Sequence, residues 1–352
     1  MKSLRTVAAL LLAMLTIAFA PHANAAGAGY AVGARQVSYV DESRPIKKSM
    51  GFEGAATRRL DLHVWYPADA SQRSDPATLA KGPFPLVIYS HGTFGSADSA
   101  MHLVNHLVRH GYIVAAPDYP LTSRAAFTHV RFADISDVGQ QTRDVKFIID
   151  RLLADPLFGP SIDRAKIGAT GHSLGAVTSY FTSFGAQTRD PRIAAVALIA
   201  GGDPVESALM QDMGLLGTGH AAVRVPSLFL SADHDVFARM TGRPHASYSR
   251  VEGPKTELMI KGGVHVWFRD GSEVPPGGKN PDCAFFEKNM PGMAVPGCEL
   301  RGGLITPALQ QEITRAALLD FFDGYLRNDA AALARLRGIH RRFAEVSVTA
   351  ED

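Results

Sequence analysis

The sequence is poor in cysteine, in tryptophan and in net charge. Among 352 residues there are two cysteines, Cys283 and Cys298, and two tryptophans. Two thiols alone make a poor zinc site, so a thiolate metal centre has too few ligands to be built here. Lys plus Arg number 36 against 34 Asp plus Glu, which leaves no electrostatic argument for nucleic acid or an anionic membrane as a partner. Only one long apolar run occurs, at the start, in MKSLRTVAALLLAMLTIAFAPHANAAG. Lys2 and Arg5 precede it and an Ala-x-Ala site follows at Ala23 to Ala25. This is the pattern of a secretory signal, too short and too poorly flanked to span a membrane stably. Cleavage after Ala25 or Ala26, a secreted or periplasmic location and no integral membrane span are expected. In an oxidising compartment, two cysteines close together in a Gly/Pro-rich stretch are expected to form a disulfide. Closing so short a loop contributes about 3 kcal/mol on the chain-entropy model.

Repeats, low-complexity tracts and linkers are missing too. The mature chain, residues 26–352, therefore reads as one domain. Alternating strands are expected in GARQVSYVDE and RRLDLHVWYPAD. FPLVIYSHG is a continuous apolar run suited to a central strand buried on both faces. YIVAAPDYP, RIAAVALIAGG, VPSLFLSADHD and TELMIKGGVH read as further strands. Helices alternate with them. One lies in SADSAMHLVNHLVRHG, with Ser96 or Asp98 as candidate cap and Gly111 as its stop. A second, around Asp134 to Leu153, places Val138, Val145, Ile148, Ile149 and Leu152 on one side. A closing helix starts at Thr306 as cap with Pro307 in its first turn. Alternation of this kind implies a mostly parallel central sheet covered by helices on both faces. Two decorations interrupt it, Gln211 to Ala222 and a Pro/Gly-rich insert at about 270–303, placed to fold over the strand ends.

KIGATGHSLGAVTSY, Lys166 to Tyr180, sets a serine between two glycines where a strand gives way to a small, apolar helix. A turn that sharp has no room for a Cβ at Gly171 or Gly175, and it pushes the Ser173 hydroxyl outward. This is the G-x-S-x-G nucleophile elbow. Ligands of an open parallel sheet bind at the carboxyl ends of its strands. Those ends carry Ser90, His91, Gly92 and Thr93, then Ser173, then Asp203, Asp233 and Asp235, then His265. The order serine, acid, histidine is the one the α/β-hydrolase fold imposes. A serine hydroxyl needs a base, and His265 is the candidate; the imidazole needs an acceptor, for which Asp235 is preferred and Asp203 is the alternative. Asp233 is expected to brace the same turn. The oxyanion hole is assigned to the backbone N–H groups of Leu174 and, by analogy with the fold, Thr93.

The segments LVIYSHGTFG, LVRHGYIVAAPDYP, IDRAKIGATGHSLGA and PSLFLSADHD resemble the α/β-hydrolase superfamily, in particular its dienelactone hydrolase-like and platelet-activating factor acetylhydrolase-like branch. The resemblance runs from about Val37 to Leu326. SADHD and GGVH are similar to segments of secreted cutinase-like polyester hydrolases, where the second aspartate and the histidine are catalytic, which maps onto Asp235 and His265. Two departures matter. The acid position of the acetylhydrolases falls on Ile199, with Asp203 a few residues later. Dienelactone hydrolases use a cysteine where this chain has Ser173, which argues against lactone specificity.

These readings imply a hydrolase of carboxylic esters, working through an acyl-enzyme without a cofactor on a small, lipid or polymeric ester. An amidase or peptidase on the same triad, or a catalytically silent binding protein on the same scaffold, are the alternatives. His102, His106 and His110 recur every four residues, yet no carboxylate or thiol joins them at ligand spacing, and no metal site is expected. His172 is read as structural and His91 as shaping the oxyanion loop. Phe94 and Trp267 are the candidate pocket aromatics.

Overall fold

The computed structural model describes residues 29–49, 51–69, 77–128, 133–201, 220–241, 246–271, 273–289, 291–299 and 303–352. The signal segment, Asp203 and most of the Gln211–Ala222 decoration lie outside them.

Among these residues one nine-stranded sheet runs through the molecule, in the order β1-β2-β4-β3-β5-β6-β7-β8-β9. Its strands are β1 Ala31–Asp41, β2 Arg58–Ala68, β3 Phe84–Ser90, β4 Ile113–Asp118, β5 Ile162–His172, β6 Ile193–Ile199, β7 Ser227–Ala232, β8 Lys255–Ile260 and β9 Val346–Glu351. From β4 to β8 every neighbouring pair is parallel; β1, β2 and β9 add antiparallel edges. Every residue of β3 is buried, as its unbroken apolar run requires of a strand covered on both faces.

Helices α1 Met101–Arg109, α2 Val138–Ala154, α3 Leu174–Phe184, α4 Val236–Thr241, α5 Ala246–Arg250, α6 Pro281–Asn289, α7 Pro307–Leu326 and α8 Ala330–Arg337 complete the architecture. On one face Val138, Val145, Ile148, Ile149 and Leu152 of α2 and Val177 and Tyr180 of α3 pack on Leu86, Ile88 and Ala169. On the other, Leu103, Val104 and Leu107 of α1 and Ile313, Leu318 and Phe321 of α7 pack on Val87, Val114 and Leu230. The apolar stripes of the helices meet the two faces of one sheet, which sets all the parallel strand ends along a single rim.

Two details differ from the expected elements. Helix α1 starts after Ala100, which offers no side-chain cap. Its first amides, Met101 and His102, instead donate to the Asp270 carboxylate at 2.6 and 3.0 Å, so the cap is supplied by a residue 168 positions away. Neither Ser96 nor Asp98 serves: the Ser96 hydroxyl turns to the Asp98 carboxylate at 2.5 Å. Beyond the closing helix, α8 and β9 have no counterpart among the expected elements. Strand β9 pairs along the whole of β8, covering what would otherwise be an open edge.

Candidate active site

At the end of β5 the chain turns through Ser173, whose φ of 57° and ψ of −121° lie in a region costly for a residue with a Cβ, of order 1–3 kcal/mol. Surrounding structure holds it there. The Ser173 N–H donates to the Ile199 carbonyl at 2.8 Å. A Cβ on Gly171 would lie 2.3 Å from the Gly175 oxygen, and one on Gly175 would lie 1.9 Å from the Ser90 oxygen. Both glycines are therefore there for close backbone approach, and the serine stands partly exposed at the apex. Leu174 opens α3, so its N–H has no partner within the helix.

The loop after β3 lies against this turn. A Cβ on Gly92 would sit 3.0 Å from the Ser173 Cβ. His91, buried, donates from Nδ1 to the Gly92 carbonyl at 2.8 Å and accepts at Nε2 from the Tyr119 N–H at 3.1 Å. Both ring nitrogens are thus committed in the neutral form, and burial lowers the pKa in the same direction. Thr93 follows, partly exposed, and its N–H meets no backbone acceptor among the described residues. Phe94 takes a positive φ of 61° and ties its N–H to the Thr122 carbonyl at 2.9 Å.

Asp235, just before α4, and His265, beyond β8, are 1% and 5% exposed. His265 Nδ1 lies 2.7 Å from Asp235 Oδ2, while Asp235 Oδ1 accepts from the Ala238 N–H at 2.9 Å. Burial by itself would lower the His265 pKa; the Asp235 carboxylate outweighs it, with Asp282 adding to the pull, and the net shift is upward from 6.5. Asp233 Oδ1 accepts from the Gly262 N–H at 2.7 Å, tying the turn after β7 to the one after β8.

The backbone around His265 is held by side chains from three places. Gln310 on α7 accepts from the Val264 N–H at 3.0 Å and donates to the Val264 carbonyl at 2.7 Å. His172, in the elbow, donates from Nε2 to the His265 carbonyl at 3.1 Å, and its ring packs against the His265 ring with centroids 4.5 Å apart. Burial, with His265 adding to it, holds His172 well below the usual histidine range, hence neutral. Asp282, from the insert, accepts from the His265 and Val266 N–H groups at 2.9 and 3.0 Å. His172 joins the elbow to the base loop directly, so Ser173 and His265 belong to one neighbourhood.

Aromatic rings border it. Phe237 packs on the His265 ring at 4.5 Å between centroids, and Phe285 of the insert bridges Phe237 at 5.6 Å and Phe94 at 6.2 Å. Trp267 does not join this wall. It is 2% exposed and donates its Nε1–H to the Glu273 carbonyl at 3.2 Å, bracing the start of the insert. His102 pairs its Nε2 with the Phe268 carbonyl at 3.1 Å, and His110 pairs its Nδ1 with the His106 carbonyl at 2.7 Å. These histidines tie the backbone together. Cys283 and Cys298 form the expected disulfide.

A solved structure described as a ferulic acid esterase from Streptomyces cinnamoneus superposes with a TM-score of 0.63, over 90% of this chain and 96% of that one, at 22% identity. The chain has the α/β-hydrolase fold. This hydrolase-fold chain also matches the Chlorophyllase family model over residues 75–213, less than half its length. The match includes Thr93, Ser173 and Leu174 and ends before Asp235 and His265. The comparison with curated proteins returns no match.

Several of the hydrolase fold's supporting residues are not visible in sequence patterns. Gln310 sits in a helix, where its spacing suggests only a polar position. Asp282 sits in an insert with no periodicity. The only available signal is indirect: Asp282 adjoins Cys283, one of two cysteines in the chain.

Proposed function

We propose that this chain is an exported serine hydrolase that cleaves carboxylic esters. In this reading the Ser173 hydroxyl attacks the ester carbonyl while His265 takes its proton. The Nδ1 of His265 is engaged by Asp235 at 2.7 Å, so in this reading Nε2 is the nitrogen that takes the serine's proton. Asp235 fixes the tautomer and stabilises the imidazolium. The N–H groups of Leu174 and Thr93 receive the charge that develops on the carbonyl oxygen; losing one such donor costs about 2.7–4 kcal/mol in the transition state. His265 then returns the proton to the leaving alcohol, and water attacking the acyl-enzyme by the same route releases the acid. No cofactor enters this sequence.

The observation that carries the reading is the buried Asp235–His265 pair, joined through His172 to a strained serine elbow. Asp203 remains the alternative acid in sequence and lies outside the described residues; the 2.7 Å contact favours Asp235. Both comparisons support carboxylic ester chemistry over amide chemistry. Export is supported by the leader pattern and by a disulfide, which suits an oxidising compartment. Among the described residues no helix is long and apolar enough to cross a membrane.

Steady-state hydrolysis of a short p-nitrophenyl ester tests the reading. Ser173→Ala is expected to retain the fold and lose turnover by about 10⁵-fold or more. Turnover within tenfold of the unmodified protein contradicts the assignment.

A further inference from the structure

The insert at about 270–303 carries a feature the triad reading does not use. Asp282, at the start of α6, is fully buried, and its carboxylate is spent on backbone amides of two separate loops. Oδ2 accepts from His265 N at 2.9 Å and from Val236 N at the longer distance of 3.4 Å, and Oδ1 accepts from Val266 N at 3.0 Å. One of those loops holds the base, the other the acid. Asn280 adds a second link, donating from Nδ2 to the His234 carbonyl at 2.6 Å while its Oδ1 receives the Asp282 N–H at 2.9 Å. The residue after Asp282 is Cys283, bonded to Cys298. Phe286 of the same helix packs on Phe237 at 4.9 Å, and Phe237 in turn packs on the His265 ring.

A buried carboxylate in a merely structural insert would be expensive to keep. Here it is aimed at the amides that fix where the His265 imidazole starts and where the Asp235 loop turns. We propose that Asp282 is a positioning residue for the base, and that the disulfide-closed insert is a clamp holding the acid and base loops in register. This inference rests on the serine-hydrolase reading of the same site.

The groups facing His265 are Asp235, Asp282, Arg269 and His172; those facing Asp282 are His265, Asp235 and Arg269. Burial, with Asp235 adding to it, raises the Asp282 pKa to about 6, so Asp282 is an anion above that pH, and removing its charge there removes one of two anions that favour the imidazolium. In Asp282→Asn, which keeps the shape and one acceptor oxygen, the acid limb of kcat/KM is expected to move to lower pH, with kcat reduced and KM within about twofold. Asp282→Ala is expected to lower kcat by about tenfold to a hundredfold, the scale of a small misplacement of a catalytic group, and to lose slow amide exchange at His265 and Val266. The Cys283→Ser/Cys298→Ser double variant is expected to lower kcat in the same direction with KM again little changed.

A folded Asp282→Asn protein with unchanged kcat and an unmoved acid limb overturns the proposal, whatever the alanine variant does. Active-serine labelling separates this failure from a failure of the underlying reading. If the unmodified protein labels at Ser173 while Asp282→Asn keeps its kcat and acid limb, only the positioning role falls. If the unmodified protein does not label at Ser173, both fall together.

Discussion

Asp235 offers His265 an acceptor that is buried, charged and already held by the Ala238 amide. An asparagine in its place preserves the volume and can present an N–H where the imidazole needs an acceptor, so the wrong tautomer is favoured. Asp235→Asn is expected to lower kcat for ester hydrolysis by about 10⁴-fold, and a loss of less than tenfold contradicts its role. The pH dependence follows from the same contact. Asp235 and Asp282 together outweigh burial and raise the His265 pKa above 6.5. A general base works in its neutral form, so kcat/KM is full above that raised pKa and falls as pH drops through it. The acid limb therefore lies above the ordinary histidine value, and Asp235→Asn moves it downward. At this scale Ser173, Asp235 and His265 were legible because each follows a strand, and strand ends share a rim. His172 was read as structural from its place in the elbow, but its contact, like those of Gln310 and Asp282, is to the backbone of a loop, and a single sequence contains no periodic trace of such contacts.

Helix α2 is fixed to the sheet by more than its apolar stripe. Arg58, at the start of β2, is fully buried between Asp137 and Asp144, bonding them at 2.7 and 2.6 Å through Nη2 and reaching Asp144 again through Nε at 2.7 Å. Arg44 adds a further bond to Asp144 at 2.9 Å. Removing the Arg58 guanidinium takes from buried Asp137 the cation it is hydrogen-bonded to and leaves Asp144 with Arg44 alone. Arg58→Ala is expected to cost about 3–5 kcal/mol in denaturant unfolding; a change below 1 kcal/mol contradicts this account of the network. Strands and helices themselves were plain from hydrophobic period, since each buries one stripe or two faces against the same core. Their terminal contacts were less so. Thr306 caps α7 through Leu309 N at 3.2 Å, a local device three residues long, whereas α1 receives its cap from Asp270 across the chain. Local chemistry can be read along a sequence; a cap supplied by tertiary approach cannot.

Across the whole molecule, one sheet brings together pieces that are far apart in the chain. The family-model match ends at residue 213, while the acid and the base of the proposed triad come from residues 235 and 265. The insert then adds a third contribution, from 280 to 283, that grips both loops. Parallel order explains why distant strand ends converge; the insert explains how the loops beyond those ends stay in place. The edge strand β9 was not anticipated although VSVTAE alternates apolar and polar residues; the pattern is only six residues long, and its place in the sheet depends on pairing with β8.

The central claim is that the Ser173 hydroxyl is activated by His265. Labelling with a fluorophosphonate, followed by peptide mass mapping in the unmodified protein and in His265→Ala, tests it most directly. The account predicts one adduct, on Ser173, forming faster as pH rises through the His265 titration and slowed by at least about a thousandfold in His265→Ala. An adduct on another serine, or equal rates in the two proteins, would contradict it.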